Sequence, residues 1–509
     1  MRLPPRWSNV ATISSLALLS LMTLFSEEKE DNVLYPWVRI MTTHSKDNVA
    51  NDYNTEKIIL TVPYLLNSFP QLLVWDGQSF NSYNIVMGES QPQKVLSFRN
   101  VRDIPLLVHA MTTHFPERFI RGSPPLELLW SGHDALMGQC INENHDCPSR
   151  DFAPILMFGT VPKNKTLIPT VQQFPNPYYT TCLYNYIIFG QTDCAWQNVN
   201  TDLDVKDLIP QVFWRGSDFS NYIAEYQSPY PRGNKNGTTI EFLLSPTIIE
   251  NMTQDEIMQH LVKNLKDLTP RWIGVTQSLL ASTSNREPSS SSLSSTTTME
   301  SPWVDIRFAN NGVFNHDLHD SLQQRGILVT DDYINPYNMS QYRYQIDIAG
   351  GGGTTWDGTI TKLLMPGILF HHETPFQDWF YEDMIPWEHY IPIQDDLSDL
   401  YSKYEWAEQQ HLDSDSVGRN ISMRSTEFAR YLLSEECMNA TYQSLYVNYL
   451  GSLIRAYDSQ GMDWSNILKK YEDNGISLLK TTECDETLCS TEVLPDSFRK
   501  YPHGSSLQV

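Results

Sequence analysis

The chain has 509 residues, 40% of them hydrophobic and 12% aromatic, which excludes a fibrous or wholly disordered protein. Lys plus Arg number 36 against 60 Asp plus Glu, a formal charge of −24 that repels phosphate backbones and excludes nucleic acid as a partner. A domain holds roughly 100–200 residues, so this length predicts two domains with extensions.

At the amino terminus, Trp7 to Phe25 carry no charge, with Arg2 and Arg6 before them and Glu27, Glu28 and Glu30 after. The stretch is close to the ~20 residues that span a bilayer, and the positive flank should stay cytosolic. A cleaved signal peptide is the rival, but Leu21 to Ser26 offers no good small-x-small site, so the stretch reads as an uncleaved signal-anchor that sends the rest of the chain into the lumen. The expected protein is therefore single-pass, type II, in the endoplasmic reticulum or Golgi membrane. Sequons at Asn164, Asn236, Asn251, Asn338, Asn420 and Asn439 fit that compartment. So do the seven cysteines, which pair by proximity as Cys140–Cys147, Cys182–Cys194 and Cys484–Cys489, leaving Cys437 over.

Along the chain, residues 1–26 form the tail and anchor, and 27–55 a polar stem. Residues 56–210 carry short apolar runs, of which Leu126–Trp130 and Asp151–Val161 read as buried strands. Residues 211–455 make a second α/β domain. Its first strand lies in 211–222, and an amphipathic helix in 254–268 places Ile257, Leu261, Leu265 and Leu268 on one face. Residues 281–301, rich in Ser and Thr, read as a disordered insertion. Residues 342–373 then give strand, glycine loop, helix and strand, a βαβ-like unit of a parallel sheet. Residues 424–458 are helical in pattern, and 456–509 form a C-terminal extension. Strands alternating with helices on both sides predict two α/β domains facing a cleft.

The sharpest motif is Gly350-Gly351-Gly352-Gly353 followed by Thr354, Thr355 and Trp356. Consecutive glycines let backbone amides approach an oxyanion, the next helix N-terminus favours negative charge, and the threonines add hydroxyl donors. A diphosphate is the natural guest; a mobile hinge is the bland alternative. The spacing fits neither a Walker loop nor a dinucleotide fingerprint. In Trp214-Arg215-Gly216-Ser217 the arginine can fork onto phosphate or ribose oxygens, or pair with a carboxylate. Asp134, in the loop after a buried strand, is a candidate general base, although most loop aspartates are solvated or cap helices. His371-His372-Glu373 ends a strand, where alternation predicts one buried and one exposed imidazole rather than a metal site. Asp413-Ser414-Asp415 has the form of a divalent-ion triplet but lies in a polar stretch of an acidic chain. No metal or other cofactor is expected.

Residues 342–408 resemble the core of glycosyltransferase family 90, the family of Rumi-type protein O-glucosyltransferases and fungal capsule-associated xylosyltransferases. The resemblance rests on Pro386-Trp387-Glu388-His389-Tyr390-Ile391-Pro392, Leu397-Ser398-Asp399-Leu400, Glu405-Trp406-Ala407 and the 214–217 block. The glycine run and Pro270-Arg271-Trp272 are most similar to an algal-type branch. The resemblance implies a GT-B-like fold, two Rossmann-like domains about a cleft, and inverting transfer from UDP-glucose or UDP-xylose to a protein or glycan hydroxyl, without a required metal. It implies Asp134 as base. It implies Arg215, Gly216, Ser217, Arg271, Gly352, Gly353, Thr354, Thr355, Trp356, Asp357, Gly358 and Thr359 as donor-binding residues. Many relatives carry arginine where this chain has Thr359, so Arg271 or Arg343 must replace that charge. A silent sugar- or glycoprotein-binding member is the alternative implied by that loss.

Overall fold

Two six-stranded sheets organise this computed structural model. It describes residues 53–63, 65, 70–87, 103–131, 153–158, 161–162, 171–192, 194, 199–217, 251–284, 302–309, 316–327, 329–330, 334–350, 355, 357–374, 376–410 and 416–484. The expected anchor at 7–25 lies outside them. Among the described residues no helix is long and apolar enough to cross a membrane.

The first sheet grows from α1 (Thr55–Thr61), β1 (Pro70–Trp75), β2 (Phe80–Met87), α2 (Asp103–His114), β3 (Leu126–Ser131), β4 (Ile155–Phe158), the short β5 (Val161–Pro162), β6 (Val171–Phe174) and α3 (Pro177–Phe189). Strands β1 and β3 are buried along their whole length, as strands covered on both faces are. β1 runs antiparallel to β2 and β3, whereas β3, β4 and β6 are parallel. The first sheet is therefore mixed. Helix α3 starts on Asn176, whose side chain accepts from the Tyr178 and Tyr179 amides, and stops on Gly190 at φ +65°.

The second sheet comprises β7 (Ile209–Gly216), α4 (Gln254–Lys263), α5 (Pro270–Ser284), β8 (Val304–Ala309), α6 (His316–Gln324), β9 (Val329–Thr330), α7 (Pro336–Met339), β10 (Tyr342–Asp347), α8 (Asp357–Leu364), β11 (Ile368–His372), β12 (Phe376–Gln377) and β13 (Ile391–Ile393). All of its six strands are parallel, in the order β13-β11-β10-β7-β8-β9, with β12 paired elsewhere. The chain builds outward from β7 in one direction, then returns and builds outward from β10 in the other. That is the order of doubly wound nucleotide-binding sheets, and its reversal falls between β7 and β10. Thr253 and Glu256 form a capping box at α4, which buries Ile257 and Leu261. The expected helix over 254–268 stops at Lys263 and continues as a 3-10 turn, Leu265–Asp267. The Ser/Thr insertion also starts later than expected: Ala281–Ser284 are the last turn of α5.

The remaining helices are α9 (Leu400–Gln409), α10 (Val417–Leu432), α11 (Glu435–Thr441), a π-helical stretch Tyr442–Tyr449, α12 (Leu450–Ala456) and α13 (Trp464–Asp473), followed by β14 (Ile476–Cys484). The stretch expected as an extension completes the first sheet, because β14 pairs antiparallel with β2. Buried Glu127 on β3 ties it down, accepting from Thr55 Oγ1 at 2.5 Å, Tyr457 OH at 2.6 Å and Tyr471 OH at 2.5 Å. Between the sheets runs a seam. β5 pairs with β12, Gln173 Nε2 donates to the Gln377 carbonyl at 3.0 Å, and Tyr179 OH donates to the Leu432 carbonyl at 2.7 Å. Cys182 and Cys194 form the expected disulfide and Cys437 is free and buried; the other two expected pairs involve residues outside the described set.

Asp103 heads α2, fully buried beside Thr180. Burial raises its carboxyl from 3.8 to about 8, against a weaker opposing pull from Thr180. A raised folded value means the contribution is full below the unfolded value and is lost as pH rises through about 8. Urea unfolding of wild type and Asp103→Asn will therefore diverge as pH rises, the variant gaining relative stability. A pH-independent difference between them would contradict the assignment.

Candidate functional site

The reversal in strand order lies between β7 and β10, and in open α/β sheets ligands bind outside the carboxyl ends of the strands at such a point. β7 ends in Arg215-Gly216 with Ser217 next; β10 runs out through Ile348, Ala349 and Gly350 into the glycine run. Arg271, in the first turn of α5, bridges the two. Its Nη1 donates to the Ser217 carbonyl at 2.6 Å, and its Nε and Nη2 fork onto the Ile348 carbonyl at 3.4 and 3.2 Å. The guanidinium also lies 5.2 Å from the centre of the Trp214 ring. That indole folds back over Gly216, where any Cβ would collide with it. Glycine is required at 216 for this close approach.

The peptide that joins Ile348 to Ala349 is held from both sides. Arg271 takes its carbonyl, and His372 Nδ1 accepts its N–H at 3.2 Å. Because Nδ1 accepts, the ring proton sits on Nε2, which donates to the Asp395 carbonyl at 2.9 Å. Burial lowers the imidazole to about 4, so it stays neutral.

Below this peptide, Asp347 closes β10 with its carboxylate fully buried. It accepts from Thr359 Oγ1 at 2.8 Å, His371 Nδ1 at 2.8 Å and the His372 amide at 3.2 Å. Burial alone would raise Asp347, but the His371 charge and hydrogen bond, with Lys362 and Thr359, hold it below the usual carboxylate value. Thr359 in turn meets Thr355 Oγ1 at 2.6 Å and Tyr381 OH at 2.9 Å. His371 packs edge-on against the Tyr381 and Tyr390 rings, each 4.8 Å away. Both adjacent histidines are buried, which corrects the expectation that one would be exposed. β11 lies between β10 and β13 and is covered on both faces, so alternation does not lead outward. Among the described residues no group of three or more His, Cys, Asp or Glu gathers as a metal site.

Residues 286–461 match the model of glycosyl transferase family 90. This segment belongs to that family. It runs from before β8 through α12 and takes in the glycine run, Asp347 and both histidines, but neither β7 nor Arg271. Protein O-glucosyltransferase 2 of Danio rerio is 30% identical over 152 residues, 29% of this chain and 27% of that protein. Protein O-glucosyltransferase 3 of Rattus norvegicus is 27% identical over 119 residues, 22% of this chain and 21% of its own length. Protein O-glucosyltransferase 1 of Homo sapiens is 27% identical over 87 residues, 17% of this chain and 21% of its own length. The match thus spans about a quarter of these relatives' length.

The expected donor residues fall into four groups. Arg271, Gly216 and Ser217 meet at the switch point, and Thr355, Gly358 and Thr359 lie at the start of α8. Arg215 is engaged elsewhere, pairing with Asp305 at 2.7 Å and donating to the Trp214 and Asp305 carbonyls. Asp134, Gly352, Gly353, Thr354 and Trp356 lie outside the described residues, as do Asp413 and Asp415; of Asp357 only the backbone, opening α8, is described. Arg343 does not replace the family arginine. It sits at the amino end of β10, bonded to Glu408 and the Val205, Lys206 and Leu208 carbonyls, at the end of that strand away from the glycine run. Asp347 and Tyr381 were not singled out from the sequence, and His372 was weighed only as part of His371-His372-Glu373. A lone acid closing an apolar strand before a glycine run was the one available signal.

The tautomer is directly observable. The ring nitrogens of His372 will show the Nε2–H form by NMR at neutral pH, with no protonation down to about pH 5, given a value near 4. A charged His372 ring at pH 6 would contradict the clamp.

Proposed function

We propose that the chain is an inverting glycosyltransferase, moving glucose or xylose from a UDP-sugar to a hydroxyl of a protein or glycan. One observation carries this reading: the strand order reverses between β7 and β10, and a glycine run of family 90 leaves that point. The names of the relatives support glucose and a protein acceptor. The two sheets would form a GT-B-like pair of lobes, the second holding the donor.

The diphosphate would sit on the amides of Gly352 to Trp356 and on the first turn of α8, where helix N–H groups favour negative charge. Arg271 adds positive charge at the β7 side. Asp134, three residues after β3 ends, would take the acceptor proton as its oxygen attacks the anomeric carbon. The bond from that carbon to the β-phosphate oxygen breaks, and UDP leaves with its charge held by the loop. Attack opposite the leaving group inverts the anomeric centre. The chemistry needs no metal if these amides and cations neutralise the diphosphate. Residues 7–25 and the sequons support a single-pass type II protein with its catalytic part in the secretory lumen.

The silent-member alternative is favoured by Thr359, which replaces an arginine of many relatives and is itself fully buried and bonded on three sides. The test is UDP release and sugar transfer by the lumenal chain, from residue 27 onward, over a panel of UDP-sugars, with and without a chelator. UDP-glucose or UDP-xylose should support turnover in both conditions. Asp134→Asn should reduce it by about 10²-fold or more, the range for a general base, while UDP still binds. UDP binding without transfer in wild type supports the silent reading; no UDP binding overturns both.

A further inference from the structure

The hydroxyl protons of the cluster under the glycine run have a direction. A carboxylate only accepts, and each hydroxyl carries one proton and two lone pairs. Asp347 collects three donors: Thr359 Oγ1, His371 Nδ1 and the His372 amide. Thr359 has therefore committed its only proton to Asp347. Its two lone pairs face Thr355 Oγ1 at 2.6 Å and Tyr381 OH at 2.9 Å, so both of those groups donate inward. Tyr381 also lies in reach of Thr355, and whichever threonine oxygen takes its proton, the flow still runs to Asp347. Thr359 is wholly buried, whereas Thr355 is half-buried at the end of the loop. The Thr355 proton points into the protein, and its lone pairs are what it can turn toward a ligand. To serve as the expected hydroxyl donor to a diphosphate, Thr355 would have to give up its bond to Thr359.

Gly358 adds a second constraint. A Cβ there would lie 3.2 Å from Thr355 Oγ1 and 3.3 Å from Lys362 Nζ, so the two polar atoms flank one glycine. Lys362 supplies positive charge beside Asp347, while Thr355 offers electron pairs. Phosphate oxygens and lone pairs repel; a hydroxyl group and lone pairs bond.

Resting on the donor-site reading above, we infer that the Thr355 side chain selects the donor by accepting a hydrogen bond from one of its hydroxyl groups, its Oγ1 making no bond to the phosphates. The hydroxyl belongs either to the transferred sugar or to the ribose. The experiment measures dissociation constants of UDP-glucose, UDP and deoxyribose UDP for wild type, Thr355→Val and Thr355→Ser. Thr355→Ser, which keeps the oxygen, should bind as wild type. Thr355→Val should weaken UDP-glucose about 5–10-fold, the worth of one hydrogen bond. A loss confined to UDP-glucose assigns the bond to the transferred sugar. A loss shared with UDP but abolished for deoxyribose UDP assigns it to the ribose. An equal loss for all three ligands means that Thr355 meets phosphate and overturns the inference, as does no loss at all. Failure of wild type to bind either UDP or UDP-glucose overturns the donor-site reading, and this one with it.

Discussion

One peptide unit governs the candidate site: the Ile348–Ala349 link at the root of the glycine run. Its carbonyl and N–H point to opposite sides, as a trans peptide requires, and each is captured, one by Arg271 and the other by His372. Fixing that plane fixes the direction in which the glycines depart. The same guanidinium also holds Ser217, so the end of β7 and the end of β10 are set by a single side chain. Glycine loops are soft by themselves, because each residue has wide backbone freedom. If the loop presents amides to a charged ligand, as proposed, the clamp gives it a rigid starting point.

Beneath the clamp, buried polarity is resolved by pairing rather than by avoidance. Asp347 would be costly in a dry interior if alone, yet three donors converge on it. The same principle recurs in the first sheet, where three hydroxyls converge on Glu127 and draw the C-terminal segment back onto β3 and β2. The Asp347 cluster joins residues 12 to 25 apart in the chain, the Glu127 cluster residues 72 to 344 apart. The first builds the site floor, the second completes a sheet.

Much of the second sheet was legible in the sequence. Residues 342–373 alternate apolar runs with glycine punctuation, and the βαβ unit follows directly from that pattern. Long-range pairing was not legible. β14 joins a strand almost four hundred residues earlier, and nothing in Ile476–Cys484 names β2 as its neighbour. The histidines were misjudged because alternation implies exposure only when one sheet face meets water. Arg343 and Arg271 were equal candidates by type; only the strand direction separates them, since Arg343 sits at the amino end of β10 and Arg271 faces its carboxyl end. The Asp347 network escaped notice because its members, at 347, 359, 371 and 381, lie on separate elements, which no helix or strand period links.

In the proposed function a nucleotide diphosphate rests on the peptide nitrogens leaving the β7–β10 switch point. Hydrogen–deuterium exchange with and without saturating UDP tests it most directly. Exchange should slow in peptides covering 214–217 and 348–359, with the outer strands β9 and β14 unchanged. Slowed exchange confined to other regions, with 348–359 unaffected, would contradict it.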